Sequence, residues 1–312
     1  YFKPGITWSF ISSNNFGARS FGRGYIFDVG GSSAFPNESD TKFILALLCS
    51  VVAARFLSIV NSTINIQVGD VAKIPIPKKC ESRSRIEELS LRCEFLAKND
   101  WNLNETSWDF RGLQLIFEDC RNISLAASWE RWCKNSALLN DEMKLMEEEN
   151  NRLFINAYGL QDELSPEVPE DQITLTRADR EKDCQRLISY AIGCMMGRYS
   201  LDAPGLIYAH AGNVGFDASR YPSFPADADG ILPVTDQPWF ADDAPTRIRE
   251  FLHAVWGPDT LEENLAWLAE SLGPKASETP EETIRRYIAD KFFKDHLQTY
   301  KKRPIYWLFS SG

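Results

Sequence analysis

The spacing of apolar residues changes at residue 81, and this change constrains the fold more than any single motif does. Up to residue 80, apolar side chains recur at every second position in short runs broken by Gly and Pro. From Glu81 they recur at every third or fourth position among charges. Period two belongs to strands and the longer period to helices, so the chain is expected to place a small set of strands before a larger set of helices, an α+β fold. Residues 1–36 carry Trp8, Phe10, Phe16, Phe21, Tyr25 and Phe27 between glycines, which reads as short strands joined by tight turns, with Tyr25 to Val29 as one of them. Asp40 is placed to cap a buried helix from about Thr41 to Val60, whose apolar face holds Ile44, Leu47, Leu48, Val51, Val52 and Phe56. INIQVGDVAKIPIP then returns to strand, because Ile64, Ile66 and Val68 alternate with Asn65 and Gln67 before Pro75 and Pro77 end the element.

The organisation that follows has four parts. Residues 1–80 form a mixed α+β region and residues 81–161 a helical spacer. The spacer carries one helix through Ile86, Leu89, Leu91, Cys93, Phe95 and Leu96, and another from about Leu138 to Tyr158, which Gly159 ends. These two helices are expected to pack antiparallel. DELSPEVPEDQ, residues 162–172, has the Pro-rich and acidic composition of a linker. Residues 173–312 are mostly helical, with one helix near Asp179 to Arg198 and another started by Thr279-Pro280-Glu281-Glu282, where Thr279 caps and Pro280 takes the first helical position.

Composition sets the class of partner. At 44% hydrophobic residues the chain can fill a sizeable core, yet its most apolar run, Phe43 to Ala54, stops at Arg55, short of the roughly 20 residues a membrane helix needs. No membrane partner is expected. The N-terminus has no starting Met, basic stretch or apolar stretch, so a piece of a longer chain is expected. Seven cysteines without a C-x-x-C pair fit free thiols and a cytoplasmic location. The net charge of -10 hides an asymmetry: eleven Lys and Arg face seven Asp and Glu over residues 1–92, a net +4, which leaves -14 for residues 93–312. A polyanion would therefore meet the N-terminal third.

Catalytic and cofactor motifs do not survive inspection. GRGYIFDVGGSSAFP, residues 22–36, looks like a phosphate-binding turn, but Gly22 and Gly24 precede the expected strand, and neither G-x-G-x-x-G nor G-x-x-x-x-G-K-[ST] occurs. The glycines read instead as turns that leave Arg19, Arg23, Ser32 and Ser33 on an exposed edge. His210, His253 and His296 lie far apart, and the cysteines lack zinc spacing. Asp227-Ala228-Asp229-Gly230 has Pro225 where a calcium loop needs its first ligand, so it reads as a solvated turn. Glu142-Met143-Lys144 matches half of a nuclease motif on a helix, where an i,i+2 pair points to different faces. No G-x-S-x-G and no [NDS]-P-P-[YFW] is present, so no catalytic residue and no metal or cofactor site is assigned.

Nucleic-acid chemistry is better supplied. Asn14, Asn15, Arg19, Ser20 and Arg23 are side chains of the kind that read base edges from loops and strands, with Asn65 and Gln67 as further candidates. Lys78, Lys79, Arg83 and Arg85 form a basic run with Lys73 and Arg92, and Lys301, Lys302 and Arg303 form a second; both suit phosphates.

Several long stretches carry a resemblance. YIFDVGGSSAFP, FILALLCSVVAARFL and INIQVGDVAKIPIP resemble the target-recognition region of Type IIG-like and Type I-like adenine DNA methyltransferases. RLFINAYGLQDEL, LISYAIGCMMGRYSLDAPGLIYA, ETIRRYIADKFFKDH and TYKKRPIYWLFSSG are similar to the C-terminal half of the PglX family, the adenine-specific methyltransferases of BREX phage-defence systems. The resemblance implies double-stranded DNA as partner and sequence recognition as the role. It places S-adenosylmethionine and the catalytic tetrapeptide in a methyltransferase domain outside this stretch, so the chain alone is expected to be inactive. The other class of function consistent with the acidic remainder is a protein-interaction module that assembles a defence complex.

Overall fold

A computed structural model describes residues 2–11, 16–61, 63–117, 120–210, 214–235, 237 and 239–310. The described residues form an α+β fold that divides into two compact units: residues 1–99 with 138–175, and residues 100–137 with 176–312.

The first unit starts with an antiparallel sheet of β1 (Gly5–Ser9), β2 (Ala18–Phe21) and β3 (Gly31–Ala34), in the order β2-β1-β3. Alternation along β1 sends Ile6 and Trp8 into the core, where Trp8 is 1% exposed, and leaves Thr7 on the other face. The third strand begins six residues later than Tyr25. Asp28 Oδ1 accepts the Gly30 and Gly31 N–H groups at 2.9 and 3.3 Å, closing a turn that consumes Asp28 to Gly30 and delays pairing until Gly31. The helix expected over residues 41–60 is two helices, α1 (Thr41–Leu48) and α2 (Val51–Val60), bent by 75°. Ser50 makes the break: its backbone is extended, and its Oγ accepts from the Ala53 N–H at 3.3 Å as the cap of α2. The expected strand at residues 64–68 is reduced to a bridge between Ile11 and Asn65, followed by the short helix α3 (Val68–Val71). Here Asp70 Oδ2 accepts from the Gln67 N–H and from Asn61 Nδ2, a local alternative that outcompetes a ladder.

Phe43, Leu47, Val52, Ala53 and Leu57 of α1 and α2 close over Ile6 and Trp8. Burying side chains of this kind contributes about 1.5–3 kcal/mol each. The helix α4 (Arg83–Trp101), up to Asn99, and the part of α5 (Leu125–Tyr158) from Leu138 onward complete the unit. Leu89 and Leu96 of α4 meet Met143 and Met146 of α5, whereas Leu91 and Phe95 point to solvent. Arg85 with Glu149 and Arg92 with Glu142 set an antiparallel register. Gly159 ends α5 at φ 68°, a left-handed conformation that glycine adopts without steric cost. Residues 162–172 pack on α5: Val168 is buried, its N–H donates to Glu148, and Asn151 Nδ2 donates to the Pro166 carbonyl.

The second unit is built around α6 (Arg180–Met195), flanked by α7 (Ala244–Trp256), α8 (Leu261–Ser271) and α9 (Pro280–Tyr287). Buried polar groups are satisfied by long-range partners. The Asp183 carboxylate accepts from the indoles of Trp129 and Trp132 and from the Asp179 N–H, all between 3.0 and 3.2 Å. Asn264 Oδ1 accepts from the Leu125 N–H at 2.7 Å, so α5 begins thirteen residues before Leu138. Thr279 and Glu282 exchange hydrogen bonds as a capping box on α9. A π-helical turn, Ile288–Phe292, leads into α10 (Phe293–Thr299).

Candidate nucleic-acid interface

Strand register decides which candidates share a face. Arg19 and Ser33 both lie opposite Thr7, so the three side chains form a row across the outward face of the sheet. Ser20 and Ser32 fall at the alternate positions and turn inward. The Ser20 hydroxyl donates to Glu94 Oε1 at 2.6 Å, and Glu94 also pairs with Lys42. Burial works against the charge on Glu94, but the Lys42 ammonium and the Ser20 hydroxyl hold its carboxyl below the usual range. Ser32 lies opposite Trp8 and is 7% exposed, which corrects its expected place on an open edge. Thr7, missed in the sequence, is the centre of the row. The strict alternation of Ile6 and Trp8 around it is the signal that could have found it.

Arg19 and Arg23 are exposed and make no ion pair among the described residues. Arg23 sits in the turn before Gly24, whose N–H donates to the Phe2 carbonyl while the Phe2 N–H donates to the Tyr25 carbonyl. Exposed Lys3 therefore joins the same edge. Aromatic rings floor it: Phe21 lies 6.1 Å from Tyr25 and 6.0 Å from Phe35. Gly5 leaves room for that floor, because a Cβ there would stand 2.9 Å from the Phe21 ring and 2.7 Å from the Ala34 carbonyl. Asn14 and Asn15 lie outside the described residues. Asn65 is half-buried beside the bridge to Ile11, and Gln67 is exposed as the residue that caps α3.

The basic run is divided by its surroundings. Lys78 and Lys79 are exposed on the connection after Pro77. Arg83 donates to the Ser39 carbonyl, Asp40 and Glu87 and lies over the Phe43 ring. Its pairing keeps Asp40 below the usual carboxylate range. Arg85 holds Glu149 through two bonds of 2.8 Å and also meets Glu88, while Arg92 holds Glu142 at 2.7 and 3.0 Å. These forks push Glu142 and Glu149 below their ordinary range, so both stay charged in their pairs. A recess of about 650 Å³ lies along this face, rimmed by the two forks and by Leu91, Phe95 and Leu145. In the second unit Lys301 and Lys302 turn the chain through left-handed backbone at φ 50° and 63° after α10, and both are exposed with Arg303.

The features set aside in the sequence have structural roles. The Gly30 and Gly31 N–H groups belong to Asp28, so they do not present an anion cradle. Asp227 and Asp229 accept backbone N–H groups of their own turn. His296 is buried among Phe292, Tyr300 and Tyr306, and burial lowers its pKa to about 4. Among the described residues, no group of three His, Cys, Asp or Glu side chains is placed to hold a metal ion. No single described helix is long and apolar enough to cross a membrane.

No family model matches the chain. Over its whole length it is 42% identical, across 318 residues, to the adenine-specific methyltransferase PglX of Lacticaseibacillus casei (strain Zhang). It is 39% identical, across 339 residues, to the adenine-specific methyltransferase BrxX of Escherichia coli O9:H4 (strain HS). The chain is a homologue of part of these methyltransferases. It spans 26% of the length of PglX and 28% of that of BrxX. The similarity to PglX read in RLFINAYGLQDEL and the later stretches therefore extends over the entire chain.

Proposed function

We propose that this chain recognises double-stranded DNA on behalf of an adenine-specific, S-adenosylmethionine-dependent DNA methyltransferase of a cytoplasmic phage-defence system. The observation that carries the reading is the outward row of Arg19, Thr7 and Ser33, with Arg23 and Lys3 beside it. Arg19, Arg23 and Lys3, with no carboxylate partner among the described residues, suit phosphates, and the Thr7 and Ser33 hydroxyls, which donate to the Ser32 and Gly31 carbonyls, keep lone pairs that can accept from base edges. An enzyme that modifies a base must take it out of the stack at a cost of a few kcal/mol, and a domain that grips the flanking duplex helps support that distortion. Among the described residues, the one glycine turn considered for S-adenosylmethionine does not fit it: its N–H groups bond to Asp28 and it feeds a strand, not a helix. No step of this reading passes through the cofactor.

The test is fluorescence anisotropy with a pool of random duplexes at two salt concentrations, on this chain and on an Arg19→Ala, Arg23→Ala variant. Salt-dependent binding that the substitutions weaken is the expected result. No binding at low salt would overturn the reading for this chain and favour a docking role for its acidic remainder, which carries -14 over residues 93–312.

A further inference from the structure

The loop beside this row exposes apolar side chains that no core residue covers. Tyr25 is 61% exposed, Ile26 72% and Val29 74%, with Phe35 at 43% on the same side. Single exposed apolar residues are ordinary, but a cluster held in one place marks a contact surface. This loop is held. Its first end is bonded to Phe2, its last end is closed by Asp28 Oδ1 on Gly30 and Gly31, and the Phe27 ring is turned back to lie 5.3 Å from Phe35. Phe27 turned inward leaves Ile26 and Val29 as the projecting residues.

The surrounding charge says what this tip meets. Exposed Lys3 and Arg23 stand at its first end, where Gly24 and Tyr25 bond to Phe2, and Arg19 follows on β2, while Asp28, the carboxylate of the loop, is engaged by backbone N–H groups. An apolar tip with cations at its base complements a surface that is anionic at its rim and apolar within. Duplex DNA has that construction, with phosphates outside and stacked base faces inside.

We propose that Ile26 and Val29 form a wedge that enters the base stack of the duplex gripped by Arg19 and Arg23. The inference rests on the DNA-recognition reading and adds to it how the duplex is deformed. The cations supply salt-dependent affinity. The wedge supplies a salt-independent part, by exchanging solvent for base faces, and opens one base step.

The experiment uses this chain, an Ile26→Ser, Val29→Ser variant and the Arg19→Ala, Arg23→Ala variant. The probes are duplexes selected from a random pool by the chain and carrying 2-aminopurine at successive positions, whose fluorescence rises when a base unstacks. The unaltered chain is expected to raise the fluorescence at one step. The Ile26→Ser, Val29→Ser variant loses that rise and at least about ten-fold in affinity, since each fully buried aliphatic side chain is worth about ten-fold or more, and keeps the slope of log K against log salt. Both replaced side chains are exposed, so the thermal midpoint stays unchanged. Salt-dependent binding with no fluorescence rise, or with a rise the serines leave intact, overturns the wedge and spares the DNA-recognition reading. Absence of binding to every duplex overturns both.

Discussion

The cations of the sheet and the cations of α4 have the same chemistry and opposite circumstances. Arg19 and Arg23 stand on a strand and a turn with no carboxylate partner among the described residues, whereas Arg83, Arg85 and Arg92 are each clasped by one or more. Geometry makes the difference. A helix brings Glu87 and Glu88 within reach of Arg83 and Arg85 at i+4 and i+3, and the antiparallel neighbour α5 adds Glu142 and Glu149 from the other side. On that face of β2 the neighbours of Arg19 carry no acid: Thr7 lies opposite, and Phe21 follows two residues on. A basic run in a sequence is thus a poor guide to phosphate contact when it falls on a helix that has a partner.

The largest effect expected from this difference is on DNA affinity. Removing Arg19 and Arg23 should lower the salt slope by about 1.8, at about 0.9 per phosphate contact, and weaken binding at 0.1 M salt on the order of 50-fold. Arg83→Ala, Arg85→Ala and Arg92→Ala together should change affinity less than about three-fold, because those guanidinium groups already have anions. Anisotropy titrations over a salt series measure both. Equal losses from the two sets would break the comparison.

A second effect concerns a carboxylate of α5 that has no cation partner among the described residues. Glu147 lies between Glu142 and Glu149 in sequence, but its pKa is pushed up to about 7 by burial, opposite in direction to its paired neighbours. Its folded-state pKa stands above its unfolded value, so the folded state holds the proton more tightly. The associated stability is full below about pH 4.5 and is lost as pH rises through about 7. Glu147→Gln should therefore leave stability near pH 4.5 unchanged and raise it at pH 8 by about 1–2 kcal/mol, after allowance for partial exposure. Urea unfolding at the two pH values checks this, and a Gln variant that gains nothing at pH 8 would show that Glu147 is charged and solvated.

How much of this was legible in the sequence follows from the range of the interactions. Local signals were readable: the box of Thr279 and Glu282, the stop at Gly159, and the alternation of Ile6 and Trp8 are each set by neighbours within four residues. Elements fixed by distant partners were not. Asn264 starts α5 early, and nothing near Leu125 announces that bond. Short local bonds were also missed: Asp28 closed a turn on Gly30 and Gly31 that delays the strand expected from Tyr25, Asp70 took the Gln67 N–H at α3, and Ser50 capped Ala53 between α1 and α2. At the candidate interface, residue type pointed to Arg19 and Ser33 but equally to Ser20 and Ser32. Only the register with β1 separates the pair facing out from the pair facing Glu94 and the core.

The smallest expected effect is the most direct probe of why α4 differs. Glu142→Gln and Glu149→Gln remove the cross-helix carboxylates that hold Arg92 and Arg85, freeing Arg92 and leaving Arg85 with Glu88 alone, without touching the arginines. If pairing is what withholds those cations, the double variant should bind random duplexes more tightly by about two- to four-fold at low salt, with a slope increased by less than about 1, since half-exposed cations regain only part of a phosphate contact. The gain should vanish when Arg85→Ala and Arg92→Ala are added, which separates it from the general effect of removing two negative charges. A gain as large as the loss caused by Arg19→Ala and Arg23→Ala would instead place the main DNA surface on α4, because freeing a cation far from the duplex cannot add a full contact.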